Sequence, residues 1–283
     1  MKTCVSTYSY GSYLVQDRMG VLGCIEHAAK EGFDGIEFVE GKWQEDPEMP
    51  KKIRKKCEEV GIVPVAFLVG ADFAARGRDE IERVCRLVDT AAEMGASMLR
   101  HDVTRGLPFD IKQGRSFESL LPDLAQSILA VTKYAEQKGI RTMSENHGFF
   151  VQDSCRMEKL VEAVSHPNYG LLLDIGNFLC VDEKPALAVG RLAPYAVHVH
   201  AKDFFVKSGS EADPGQGWFR SRGGNYLRGT IIGHGDAGAA QCIGILKRSG
   251  YNGYVTVEFE GMEDSLQGID LGKKNLLRYM DTI

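Results

Sequence analysis

Strand-like and helix-like segments alternate eight times along this chain, and few folds accommodate that order. Short apolar runs fall at 3–9, 34–39, 62–69, 97–103, 140–145, 169–174, 195–202 and 253–258. Amphipathic stretches follow at 20–31, 47–60, 78–94, 115–138, 154–165, 184–192, 236–249 and 264–281. In the third stretch Ile81, Val84, Cys85 and Val88 recur at helical spacing. Pro47 stands near the start of the second, where a helix tolerates proline. Five joints, KEGFDG, EEVGI, AEMGAS, EQKGI and KRSGYNG, place glycine after a polar helix end. A left-handed cap is expected at each. Regular alternation without a long linker predicts a parallel sheet closed into a single (β/α)8 TIM barrel. A doubly wound nucleotide-binding sheet is disfavoured because no GxGxxG follows the first strand. The length of 283 residues suits one such barrel of ~250 residues, so residues 1–283 are expected to form one domain. A polar, glycine-rich insertion at 207–233 follows strand seven.

Four of the apolar runs end on a side chain that can bind metal. IRTMSE ends on Glu145, YGLLLD on Asp174, YAVHVH on His200 and YVTVE on Glu258. Strand ends of one polarity converge at a barrel mouth, where active sites are built. Side chains two apart share a face. That phase places His198, His200 and Lys202 inside the barrel, and Val197, Val199 and Ala201 against the helices. The same phase turns Met143, Glu145, Leu172, Asp174, Thr256 and Glu258 inward. Three desolvated carboxylates facing one another would cost several kcal/mol. One divalent cation bound by Glu145, Asp174, His200 and Glu258 removes that conflict. The competing reading is that the acids are solvated strand ends or pair with arginine and lysine.

Other residues fall near the expected mouth. Glu37 either touches substrate or pairs with Arg100. His147 and Asn177 follow metal-ligand candidates and are read as substrate contacts or loop caps. His234 is a candidate site residue, and Asp236 a candidate helix cap. His198 lies one layer deeper than His200, as a hydrogen-bonded core histidine. Lys202 is placed to hold a substrate hydroxyl or an enolate oxygen. The 207–233 segment holds Trp218, Phe219, Arg220, Arg222, Tyr226 and Arg228. It is read as a lid, as a contact to an acidic substrate or to a neighbouring subunit of a homo-oligomer, or as a disordered insertion.

The formal net charge of −5 argues against a sequence-independent nucleic-acid binder. No apolar run reaches the ~20 residues of a membrane span, and MKTCVSTYSYGSY lacks a signal-peptide core. Seven scattered cysteines without a CxxC pair fit reduced thiols in a cytoplasmic protein. GxSxG and P-loop signatures are absent from the sequence.

The phrases GFDGIEF, SENHG, LLLDIGN, HVHAKD, GHGD and GYNGYVTVEFEG run through nearly the whole chain. Their order and spacing resemble the xylose isomerase-like TIM-barrel superfamily of sugar-phosphate isomerases, epimerases and inosose dehydratases. The resemblance implies one divalent metal ion, Mn2+ or Mg2+ first and Co2+, Zn2+ or Fe2+ as alternatives. It also implies that Glu145 and Glu258 double as acid/base groups in the epimerase branch. Ketohexose epimerases of the superfamily commonly carry a histidine three residues after the ligand aspartate, whereas Asn177 stands here. The HxHxKD phrase is closer to the branch acting on keto-inositols. The leading expectation is a metal-dependent isomerase or epimerase of a keto-sugar or keto-polyol, acting through a metal-stabilised ene-diolate. The alternative is a dehydratase of a keto-inositol or related cyclic sugar. More remote are an apurinic endonuclease-like enzyme and a non-catalytic sugar-binding barrel.

Overall fold

The computed structural model of the chain describes residues 1–16, 18–108 and 110–282. Seven strands come first: β1 (Lys2–Ser6), β2 (Gly35–Val39), β3 (Val63–Val69), β4 (Met98–His101), β5 (Arg141–Glu145), β6 (Tyr169–Asp174) and β7 (Ala196–Ala201). Then come β8 (Asp203–Lys207), β9 (Phe219–Arg220), β10 (Tyr226–Thr230) and β11 (Tyr254–Val257). β1 to β7 and β11 close a barrel in the order β1-β11-β7-β6-β5-β4-β3-β2, and every neighbouring pair is parallel. The fold is therefore a (β/α)8 TIM barrel.

Nine α-helices lie among the described residues. They are α1 (Gly11–Val15), α2 (Val21–Lys30), α3 (Met49–Val60), α4 (Phe73–Glu93), α5 (Phe117–Gln137), α6 (Ser154–Val164), α7 (Pro185–Leu192), α8 (Ala239–Arg248) and α9 (Ser265–Thr282). The five glycine joints behave as their spacing predicts: Gly32, Gly61, Gly95, Gly139 and Gly250 all have φ between 71° and 86°. α3 starts later than expected, with Pro50 rather than Pro47 in its first turn. α4 breaks at Gly77, where φ is 50° and ψ is −125°. Its regular part therefore begins at the expected position 78.

Two apolar layers flank the strands. Ile36, Phe38, Phe67, Leu99, Leu171, Leu173, Val199, Ala201, Val255 and Val257 face the helices in the main core. Cys4, Val65, Leu68, Met143 and Leu172 pack in a smaller cluster with Met98, Val197 and Tyr254. One expectation fails here. The β6–β7 register slips between Leu171 and Leu172, so Leu171 pairs with Ala196 and Leu172 with His198. Val197 is thereby turned to the smaller cluster instead of joining Val199 and Ala201. A bulge changes side-chain phase in a way that alternation counting misses.

The segment after β7 also differs from an open loop. β8, β10 and β9 form an antiparallel sheet in that order. Its far turn is pinned by Asp182, which accepts hydrogen bonds from Ser221 Oγ at 2.6 Å, from Asn225 Nδ2 at 2.8 Å and from the Gly223 N–H. Arg222 reaches Asp153 at 3.1 Å and the Phe149 carbonyl, which ties the sheet to the β5–α6 loop. Among the described residues, no helix is long and apolar enough to cross a membrane.

Candidate metal centre at the barrel mouth

Glu145 ends β5, Asp174 ends β6, His200 is the penultimate residue of β7, and Glu258 follows β11 directly. One donor atom from each lies within 4.8 Å of the others. All four side chains are buried. His200 Nδ1 is 3.2 Å from Glu258 Oε2, 3.8 Å from Asp174 Oδ2 and 3.9 Å from Glu145 Oε1. The local backbone explains this convergence. Gly176 follows β6 in a turn where a Cβ would come within 2.8 Å of the Lys202 carbonyl. Only glycine lets the β6 turn approach β7 so closely. Asn146 brackets Asp174, accepting its N–H at 2.8 Å and donating to its carbonyl at 2.9 Å.

Two cations already sit among these acids. Arg100 pairs with Glu145, and also with Asp102 at 3.1 Å. Lys202 Nζ is 2.7 Å from Glu258, 3.0 Å from Glu260 and 3.5 Å from Asp174. The reading that the acids pair with arginine and lysine is thus partly realised. Asp174 is the more weakly paired carboxylate, with Lys202 at 3.5 Å. Burial, followed by the nearby Glu258 and Glu145 charges, pushes its pKa up to about 7 despite Lys202. Its Oδ2 is buried and makes no hydrogen bond. A buried carboxylate in that state is expensive unless a cation compensates it. The donor set of three carboxylates and one imidazole fits a divalent ion.

Glu37 takes neither of its two expected roles. It is buried inside the barrel, with Oε1 2.8 Å from His200 Nε2 and Oε2 2.7 Å from His198 Nε2. Thr256 Oγ1 adds contacts of 2.9 Å to His198 and 3.3 Å to Glu37. Burial would raise the pKa of Glu37, but His200 and His198 outweigh it and hold it at about 2. A carboxylate behind a ligand histidine fixes ring orientation and tautomer. Glu37→Gln is therefore expected to weaken divalent-metal binding by about 10–100-fold, measured by calorimetric titration of the metal-free protein. Parent-like affinity would show that His200 needs no such support.

A cavity of about 330 Å3 opens beside the cluster, lined in part by Arg100, Glu145, His147, Asn177, Lys202 and Glu258. Asn177 donates to Glu145 Oε1 at 2.9 Å and, through its backbone, to Asp174 Oδ1 at 2.8 Å. His147 Nδ1 lies 3.0 Å from Asp102 Oδ1. His234 is not brought to the cavity. It is exposed, in a turn whose neighbours Gly233, Gly235 and Ala237 donate backbone N–H groups to Asp203 at 2.8, 3.0 and 2.9 Å. The GHGD phrase therefore wraps a buried aspartate of β8. Asp236 does not cap α8 either: the cap is Gly238, and Asp236 accepts the Val206 N–H at 2.7 Å.

Sequence reasoning passed over Asp102, Glu260 and Tyr8. Asp102 and Glu260 each stand two residues beyond a singled-out residue, Arg100 and Glu258, so strand phase could have found them. Tyr8 follows β1 in a short 3-10 turn, where no periodicity signals it.

Comparison with known proteins bears on the fold and the family. The profile of the xylose isomerase-like TIM barrel family matches residues 25–279. An inosose dehydratase of Bacillus thuringiensis (strain Al Hakam) is 24% identical over 256 residues, covering 84% of this chain and 81% of that protein. Inosose dehydratase 1 of Bacillus cereus is 28% identical over 138 residues, 48% of this chain and 46% of that protein's length. A 3-dehydroshikimate dehydratase of Pseudomonas putida is 26% identical over 168 residues, 57% of this chain but only 25% of that longer protein. These relatives are enzymes. Among solved structures, the IOLI protein with a bound zinc atom superposes with a TM-score of 0.78 at 17% identity, covering 99% of this chain and 98% of its own. With a barrel of this topology and a family match across most of its length, the chain belongs to the xylose isomerase-like TIM barrel family.

Proposed function

We propose that the protein is a divalent-metal-dependent dehydratase of a cyclic β-hydroxy ketone of the keto-inositol kind. The observation that carries this reading is the buried Glu145–Asp174–His200–Glu258 cluster within 4.8 Å, open to a polar cavity. The matched relatives are dehydratases, which moves the reading from the isomerase or epimerase that the sequence put first. Mn2+, Mg2+, Zn2+, Co2+ and Fe2+ are all compatible with the donor set. When bound, the ion would supply Lewis-acid polarisation of the ketone.

The chain's own residues supply the proton chemistry. Elimination breaks the C–H bond next to the carbonyl and the C–O bond of the β-hydroxyl. It forms a C=C bond and releases water. Glu145 or Glu258 takes the carbon-bound proton, and a group on another wall delivers a proton to the departing hydroxyl. β11, which leads to Glu258, lies across the barrel from β4, which leads to Asp102. Lys202, which follows β7, and the Asp102-bound His147, which follows β5, both line the cavity and can contact a substrate from either side of β6. Phe204 and Phe219 of the antiparallel sheet line the cavity and help exclude water.

Incubating metal-loaded protein with a keto-inositol in D2O tests the reading by mass spectrometry and proton NMR. The expected product has lost the mass of one water. Deuterium uptake with no loss of water would return the assignment to epimerisation. Neither change across a panel of keto-polyols would leave a non-catalytic binding barrel.

A further inference from the structure

A second and larger cavity of about 840 Å3 adjoins the first and has a different character. Tyr8, Val39 and Glu260 line both. Beyond that shared wall the groove is bordered by Leu14, Val15, Met19, Trp43, Met49 and Met262. Nine large hydrophobic side chains are exposed among the described residues. Three of them, Tyr8 at 46%, Val15 at 80% and Met262 at 64%, line this groove. Exposed apolar surface gathered at one concave place marks a binding site more often than chance scatter. An unsubstituted cyclic polyol has no use for it, because every edge of such a ring carries a hydroxyl.

We infer that the substrate is amphiphilic: a polar ring held at the carboxylate–histidine cluster, carrying an aryl-sized apolar substituent that passes Tyr8 into the groove between α1 and the β2–α3 loop. This deepens the proposed dehydratase reading and rests on it for the identity of the ring. The groove itself argues for a small-molecule substituent. Its volume is that of a ligand pocket, and it continues from the polar cavity along the shared wall of Tyr8, Val39 and Glu260, as a side group of one ligand would require. The Tyr8 ring, with Lys202 Nζ 5.6 Å from its centroid, stands between the polar cluster and the groove. It can present an apolar face to the substituent.

The test uses the metal-loaded protein and two matched probes, the O-benzyl and O-methyl ethers of myo-inositol, titrated by calorimetry. The benzyl ether is expected to bind at least about tenfold more tightly, from burial of the additional aromatic surface. Val15→Glu and Met262→Glu place a charge in the groove at exposed positions, so folding is not at risk. Each should bring the two affinities to within about twofold while leaving the methyl ether unchanged. Leu187→Glu, equally exposed but outside the groove, should keep the full preference. Equal affinities in the parent protein, no binding of either probe, or a preference that survives both groove substitutions overturns the inference. The dehydratase reading is judged separately, on unsubstituted keto-inositol, so either idea can fail alone.

Discussion

Glu258→Gln and Glu145→Gln are each expected to lose turnover by ~10²–10⁴-fold, the usual loss on removing a general acid or base. Glutamine keeps the size and one donor oxygen, so partial metal binding should survive. For Glu258 the charge is well defended. Burial alone would raise its pKa, but Lys202 and His200 outweigh it and hold the carboxyl well below its usual range. Proton exchange separates the two roles. The variant lacking the proton-abstracting glutamate should no longer exchange the substrate's carbon-bound proton with solvent. The other should still exchange it yet fail to release water. If both variants bind metal and exchange at the parent rate, the base lies elsewhere, with His147 or Lys202 next in line.

Asp174→Ala should abolish stoichiometric binding of a divalent ion while leaving the barrel folded. In the metal-free protein Asp174 is the acid without a full partner. Removing it takes away a group that burial pushes toward its neutral form. The sign follows from linkage. A carboxyl whose folded pKa exceeds its unfolded one opposes folding increasingly as pH rises above the unfolded value near 4. The metal-free variant should therefore melt no lower than the metal-free parent at pH 7, and the rise in Tm on adding metal should vanish. His200 adds a pH dependence. Burial lowers its pKa, but Glu37 and Glu258 overcome that and raise it well above the ordinary histidine value. Binding through Nδ1 must displace the proton there, so metal affinity should rise with pH. Metal content by elemental analysis decides the first point. An Asp174→Ala protein that keeps one ion per chain would remove this residue from the ligand set.

How much of this was legible beforehand depends on whether local pattern or three-dimensional proximity decides the feature. The sequence by itself determined the barrel. Alternating apolar periods and glycine joints are local signals, and Gly32, Gly61, Gly95, Gly139 and Gly250 take the left-handed conformation their positions require. It also brought Glu145, Asp174, His200 and Glu258 under suspicion, because strand phase turns them inward and parallel strands bring their ends together. Only the tertiary structure decided what those side chains meet. Glu37 and His198 are 161 positions apart, yet they form a 2.7 Å contact across the barrel interior, which no spacing rule reports. A bulge in the β6–β7 pairing turned Val197 against its alternation while Val199 and Ala201 beyond it keep theirs, since the one extra residue breaks the phase locally. The insertion after strand seven pairs as an antiparallel sheet whose turn is anchored by Asp182 and Asp153 of distant segments. His234 stayed outside because Asp203 needed the backbone around it. Local propensity is written along the chain, whereas the pairing of buried polar groups is settled by which distant groups the closed barrel brings within hydrogen-bonding reach.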